Sequence, residues 1–376
     1  MKKIIAIIAL SGLVMSCNGI IGDGYEISGE INGLTDGTRV FLQKQDPKKG
    51  IVAVDTAKVE KGKFTFEGEA KEPEMYSISI ENVQGGFGVI VEKGNIKAIV
   101  DKDSIFKTKL SGTYNNDELT KFNDKAFLMQ KKMMAYEKTN TPAMQQASQT
   151  KDTVVMNKLR KGYAKFQQDF INENYKYITD NPKSFLSVLL IEGMLKDMEP
   201  KFDQIKKYYD GLDPEVKQTK PGRAIKARLD SDSAVAIGRK APEFSAPNPD
   251  GKMISLKESL GKVTIIDFWA SWCEPCRKEM PNVVAMYNEF HSKGLNIVGV
   301  ALEKKGERAQ WKEAIAKDQS NWVHVSNLQY WDEPVAKKYS VQGIPAVFVL
   351  DKNGVIVAKN LRGAELKAKI AELLAK

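Results

Sequence analysis

Cysteine and histidine are scarce in this chain: its 376 residues include only three cysteines and two histidines. Three cysteines exclude a disulfide framework, and two histidines leave few partners for a zinc site. Long apolar runs are also missing, and a mean hydropathy of -0.37 argues against a polytopic membrane protein. The net charge is +9, but Lys and Arg are scattered among Asp and Glu, with no dense basic block or aromatic-plus-basic motif. That excess reads as a solvated basic surface, not a nucleic-acid site. What is present is length: 376 residues exceed one ordinary core of about 100–200 residues, so two or three domains are expected.

The N-terminus reads as an address. Lys2 and Lys3 precede an apolar run, Ile4 to Leu10, resumed at Leu13, Val14 and Met15; small Ser16 then precedes Cys17. This is the layout of a secretory signal peptide, and the stretch is too short to span a bilayer comfortably. Val14-Met15-Ser16-Cys17 resembles a bacterial lipobox, with Val14 where Leu is commoner. We therefore expect a signal peptide over residues 1–16, lipidation at Cys17 and a tether over 17–24. Two or more acyl chains would give stable membrane attachment.

Residues 25–114 read as short strands in an antiparallel sandwich. Val59 to Phe66 predicts a hairpin turning at Gly62, and Val89–Val100 predicts another turning at Lys93-Gly94-Asn95. Tyr76, Ile78 and Ile80 alternate with serines, the period of a half-buried strand. No catalytic constellation appears here. Residues 115–236 turn helical: Leu119, Phe122, Ala126 and Met129 share one helix face, broken at Asn140-Thr141-Pro142. A second helix is expected over Val154–Tyr177 and another from Phe185 to Met194.

From residue 237 to 376 the pattern is α/β. Val263 to Trp269 is an almost unbroken apolar run, as in a strand buried on both faces. Ala270-Ser271-Trp272 leads from it into Cys273-Glu274-Pro275-Cys276, and a helix follows. Two cysteines three apart at a helix start can close a small-ring disulfide. The first lies where unpaired N–H groups and the helix dipole favour a negative sulfur. Pro275 removes a donor in the first turn, where none is needed. Half of a zinc site remains an alternative, as does an inert structural disulfide. His291 and His324 lack zinc-site spacing and read as surface or packed residues.

Phe268-Trp269-Ala270-Ser271-Trp272-Cys273-Glu274-Pro275-Cys276-Arg277 resembles the active-site segment of the thioredoxin superfamily, most closely its extracytoplasmic ResA/TlpA-type branch. The resemblance covers about residues 237–376. A weaker one, carried by Asp36-Gly37-Thr38, Asp55-Thr56-Ala57 and Gly62-Lys63-Phe64, links Tyr25 to Leu119 with a β-rich module of unknown function in bacterial lipoproteins.

The thioredoxin-like resemblance implies Cys273 as nucleophile and Cys276 as resolving cysteine. It makes Asp267 a proton acceptor with a raised pKa, since a carboxylate amid Ile265, Ile266 and Phe268 is costly to bury. It also implies a cis peptide before Pro345, and substrate contacts from Trp272, Glu274, Pro275, Ile344 and Pro345. Ala346 stands where the family often has Thr, and the stretch between Cys276 and Pro345 is longer than in thioredoxin. The expected function is a thiol-disulfide oxidoreductase of the cell envelope. It would need no cofactor beyond the redox-active Cys273–Cys276 disulfide, and no metal. Its expected partners are disulfide-containing client proteins, an upstream membrane thiol donor, and the membrane through a lipid anchor facing the periplasm. A role in cytochrome c maturation or general thiol homeostasis follows from resemblance alone. The alternatives are an envelope-anchored scaffold lipoprotein, a disulfide isomerase or oxidase, and, more weakly, a peroxiredoxin.

Overall fold

A computed structural model describes residues 24–46, 49–197 and 200–375. The expected signal segment and Cys17 lie outside the described residues. The chain divides into two compact units. One comprises the residues up to Gly193 with Tyr208–Gly222; the other comprises Met194–Lys207 with the chain from Arg223 onward. No described helix is long and apolar enough to cross a membrane.

In the first unit two four-stranded sheets share one core. The first runs Lys63–Glu69, Gly24–Ile31, Gly94–Val100, Lys109–Ser111; the second runs Gly50–Lys58, Arg39–Asp46, Glu74–Ile80, Gly86–Val91. Ile27, Phe66 and Ile96 from one meet Leu42, Ile78 and Val89 from the other. Gly29 is required beneath Phe64, whose ring would lie 2.0 Å from any added Cβ.

Neither expected hairpin is one. Lys61 and Gly62 do turn the chain, with φ of 50° and 76°, but only Glu60 and Lys63 pair across them. The flanking strands belong to different sheets. Likewise Gly94 carries the chain between sheets, and Gly94–Val100 then pairs parallel to Gly24–Ile31, with Ile27 opposite Ile96. The sandwich is therefore mixed, not wholly antiparallel.

The first long helix also departs from expectation. It runs unbroken from Tyr114 to Thr150 with Pro142 inside. Proline removes a ladder donor. Here Asn140 Nδ2 donates to the Tyr136 carbonyl at 2.7 Å, and Thr141 Oγ1 to that of Glu137 at 2.8 Å. Neither bond reaches the Lys138 carbonyl that loses its donor; Tyr136 instead packs on Tyr163 and Phe166 of the following helix, which supports this stretch. The second helix, Thr153–Asp180, begins at Asp152, whose carboxylate caps Val154 and Val155 N–H at 3.0 Å. Leu119, Tyr177, Phe185 and Leu186 bring both helices, and the next one, into the sandwich core.

The second unit is built on a five-stranded sheet ordered Val323–Val325, Leu295–Ala301, Val263–Trp269, Ala346–Asp351, Ile356–Lys359. The first three strands are parallel and the last two antiparallel to their neighbours. Every residue of the central strand Val263–Trp269 is buried, as its almost unbroken apolar run suggests, and the burial takes in Thr264 and Asp267. Helices Glu274–Phe290, Arg308–Asp318, Pro334–Lys338 and Gly363–Leu374 complete the α/β domain.

Candidate active site

The central strand ends at Trp269, and a short loop carries the chain into the helix Glu274–Phe290. Cys273 is that helix's N-cap residue, and its Sγ accepts from the Cys276 N–H at 3.2 Å. The two cysteines are 4% and 3% exposed and joined by a disulfide, with Cα atoms 5.3 Å apart. Free backbone donors at this helix end favour negative charge on a released Cys273 sulfur. Pro275 occupies the first turn. Glu274 is exposed and pairs with Lys278 at 2.7 Å, a contact that contributes little in solvent.

Asp267 lies further back in the same strand, opposite Gly299 on one side and Val347 on the other. It is 6% exposed, and among the described residues no Lys or Arg pairs with it. Burial first, and then the negative charge of Glu279, push its pKa from 3.8 up to about 7. Glu279 accepts from the Gly363 N–H at 2.8 Å and from Asn282 Nδ2 at 3.2 Å. Asp267, Cys276, Glu279, Pro345, Val347 and Arg362 line one cavity of about 20 Å³, room for roughly one water molecule.

The Ile344–Pro345 bond is cis, as expected. Pairing of Phe268 with Ala346 sets the register that carries Pro345 to the cysteine end of the sheet. Arg362 donates to the Pro345 carbonyl at 3.1 Å. Ile344 packs half-buried against the core. Trp272 keeps 39% of its surface exposed while its Nε1 donates to the Leu302 carbonyl at 3.0 Å.

Sequence reading missed the groups that hold the loop before Cys273. Glu303, fully buried, accepts from the Ser271 N–H at 2.6 Å and from its Oγ at 2.8 Å. Burial raises the Glu303 pKa, against the two Ser271 bonds that lower it. Arg277 donates to the Ser271 carbonyl at 3.3 Å and to Asp318 at 2.7 Å. The available signal was an acid directly after the apolar run Leu295–Leu302.

One histidine is exposed and the other packed. His291 bonds the Leu295 carbonyl at 2.9 Å; His324, 4% exposed, bonds that of Ser320 at 3.0 Å. Burial lowers the His324 pKa to about 4. Among the described residues no three His, Cys, Asp or Glu side chains are placed to hold a metal ion.

A sheet of this order, a Cys-x-x-Cys pair at the start of the helix after its central strand, and a cis-proline at the same end define a thioredoxin-like domain. Residues 237–359 match the AhpC/TSA family, and residues 25–119 match a domain of unknown function, DUF4369. A thiol-disulfide oxidoreductase ResA of Bacillus cereus is 32% identical over 148 residues, 37% of this chain and 78% of that protein. The thioredoxin-like protein YneN of Bacillus subtilis is 31% identical over 119 residues, 32% of this chain and 68% of that one. The thiol-disulfide oxidoreductase structure from Bacteroides fragilis is 30% identical, covering 36% of this chain and 99% of its own, with a TM-score of 0.34. The chain belongs to the ResA-type thiol-disulfide oxidoreductases of the thioredoxin superfamily and is a disulfide oxidoreductase.

Proposed function

We propose that this chain reduces disulfides in client proteins of the cell envelope, with Cys273 as nucleophile, Cys276 as resolving thiol and Asp267 as proton acceptor. In the dithiol state the Cys273 thiolate attacks a client disulfide. A Cys273–client bond forms, and the other client sulfur leaves as a thiolate and takes a proton from solvent. Cys276 then loses its proton to Asp267 and attacks the Cys273 sulfur. The second client thiolate is released, and the Cys273–Cys276 disulfide closes. That thiolate takes up the proton passed from Cys276 through Asp267, so the client gains two electrons from the chain, one proton from Cys276 and one from solvent. An upstream membrane thiol donor restores the dithiol, and neither metal nor organic cofactor takes part.

The observation that carries this reading is the shared cavity of Asp267 and Cys276. A carboxyl with a pKa of about 7, facing the resolving cysteine across space for one water, suits proton transfer at neutral pH. Trp272, Glu274, Pro275 and the backbone at Ile344–Pro345 form the client contacts. The leader ending in Val14-Met15-Ser16-Cys17 supports export and lipid anchoring at Cys17, facing the periplasm. Cytochrome c maturation or general thiol homeostasis is the corresponding physiological role. Cys273→Ser is expected to abolish insulin-type disulfide reduction, read as turbidity under a dithiol donor. Retained turnover in that variant would remove the assignment.

A further inference from the structure

Of the chain's five tryptophans, two are strongly exposed, Trp272 at 39% and Trp331 at 38%, and they lie together. Trp272 contacts Tyr330 with ring centroids 5.2 Å apart and Trp331 at 6.1 Å; Tyr330 and Trp331 are 5.9 Å apart. The three rings therefore form one mutual cluster, and Trp272 adjoins Cys273 in the chain.

The segment that presents Tyr330 and Trp331 is held in an unfavourable backbone. Leu328 and Tyr330 have φ of 56° and 54°, the left-handed region that such residues avoid. Buried bonds hold it there. Glu333, fully buried, accepts from the Asn327 N–H at 2.8 Å and from Asn327 Nδ2 at 2.7 Å. Ser326 Oγ donates to the Ala301 carbonyl at 2.6 Å and accepts from the Leu328 N–H at 3.0 Å. The Tyr330 N–H donates to the carbonyl of Glu303, whose carboxylate holds Ser271 beside the nucleophile. A backbone held against its preference, supporting exposed rings beside a reactive bond, marks a built surface.

We propose that Trp272, Tyr330 and Trp331 are a platform for the client segment flanking the target cysteine, and that they favour segments with an aromatic or large aliphatic side chain there. The proposal rests on the disulfide-exchange reading above. The mixed disulfide ties a single stretch of foreign chain to Cys273, next to Trp272, and that stretch is the occupant. Folded proteins seldom expose such side chains beside a disulfide, so the platform selects unfolded or extended clients. Tyr and Trp are suited to this, since they offer large contact area at small cost in side-chain freedom.

The test uses the reduced full chain and three disulfides: hydroxyethyl disulfide, and two cysteine-peptide disulfides differing only in Trp or Ser beside the cysteine. Second-order rates for the peptides are divided by that for hydroxyethyl disulfide. The wild type should prefer the Trp peptide by roughly tenfold, and Trp331→Ala should bring the ratio of the two peptides to within about twofold of one. Tyr330→Asn should do the same, because Asn tolerates the left-handed backbone while removing the ring. A wild type that treats both peptides alike, or variants that keep its preference, would overturn the platform. So would variants that slow all three substrates equally, since the rings would then only support the cysteine loop. A wild type that cleaves none of the three would instead defeat the exchange reading.

Discussion

At the scale of single residues, Asp267 decides most. Its folded carboxyl holds a proton up to about pH 7, whereas the unfolded one releases it near 3.8. Between those values the native state binds the extra proton, so stability falls as pH rises through the window and is level above it. Asp267→Asn carries no such proton. Its stability advantage over wild type should therefore grow from about pH 4 to 7, reaching on the order of a few kcal/mol in denaturant unfolding. The same variant should slow resolution of the mixed disulfide near neutral pH. An unchanged rate would remove Asp267 from the mechanism, and a pH-independent stability difference would mean that its carboxyl is not protonated in the fold. Asp267 was legible because an acid inside an apolar strand is costly. Glu279 was not, since it stands amid ordinary polar sequence and reaches the site only through the fold; Glu303 left only its place directly after an apolar run.

At the scale of elements, the parallel strands packed behind the cysteines need small residues at fixed points. A Cβ at Gly299 would meet His324 Nδ1 at 2.4 Å and Trp269 Nε1 at 3.0 Å. Both rings are buried, so Gly299→Ala should cost about 1–3 kcal/mol, read as a lower thermal midpoint. An unchanged midpoint would show that these rings move aside freely. The same scale shows what sequence pattern can carry. The long strands of the α/β sheet were readable because each is a nearly continuous apolar run. The sandwich strands were readable too, but not their pairing. Lys93-Gly94-Asn95 turns the chain equally well whether the next strand pairs with the last or crosses to the other sheet. Pro142 misled for a different reason: its breaking tendency is local, while Tyr136 packs on Tyr163 and Phe166 of the next helix, a contact that only the fold reveals.

At the scale of the whole molecule, the change in character near Gly238 marked the start of the second domain, yet the core begins earlier. Val235 is fully buried in the α/β core. Asp232 pairs with Lys359 at 3.1 Å, and Ser231 bonds Ser340 at 2.7 Å. The short apolar run Ala234–Ile237 before a Gly-Pro-rich stretch does not by itself show which domain it joins. A fragment beginning at Arg223 should therefore be more stable than one beginning at Ile237 by roughly 2–3 kcal/mol in urea unfolding, mainly from Val235. Equal stabilities would place residues 223–236 outside the cooperative unit. The cysteine motif itself was legible at once, because its chemistry is local to five residues. Of its surroundings, Asp267 and Pro345 were legible through the family resemblance, whereas Glu279 and the Tyr330–Trp331 segment were not, because the fold collects them from distant segments.

Attack by Cys273 and resolution by Cys276 stand at the centre of this account, and trapping tests them most directly. The full chain with Cys276→Ala, and separately with Cys273→Ala, is exposed to an oxidised client peptide, and the mixed disulfides are mapped by mass spectrometry. A stable adduct on Cys273 is predicted in the first variant, with no comparable adduct on Cys276 in the second. Accumulation on Cys276, or no adduct in either variant, would contradict it.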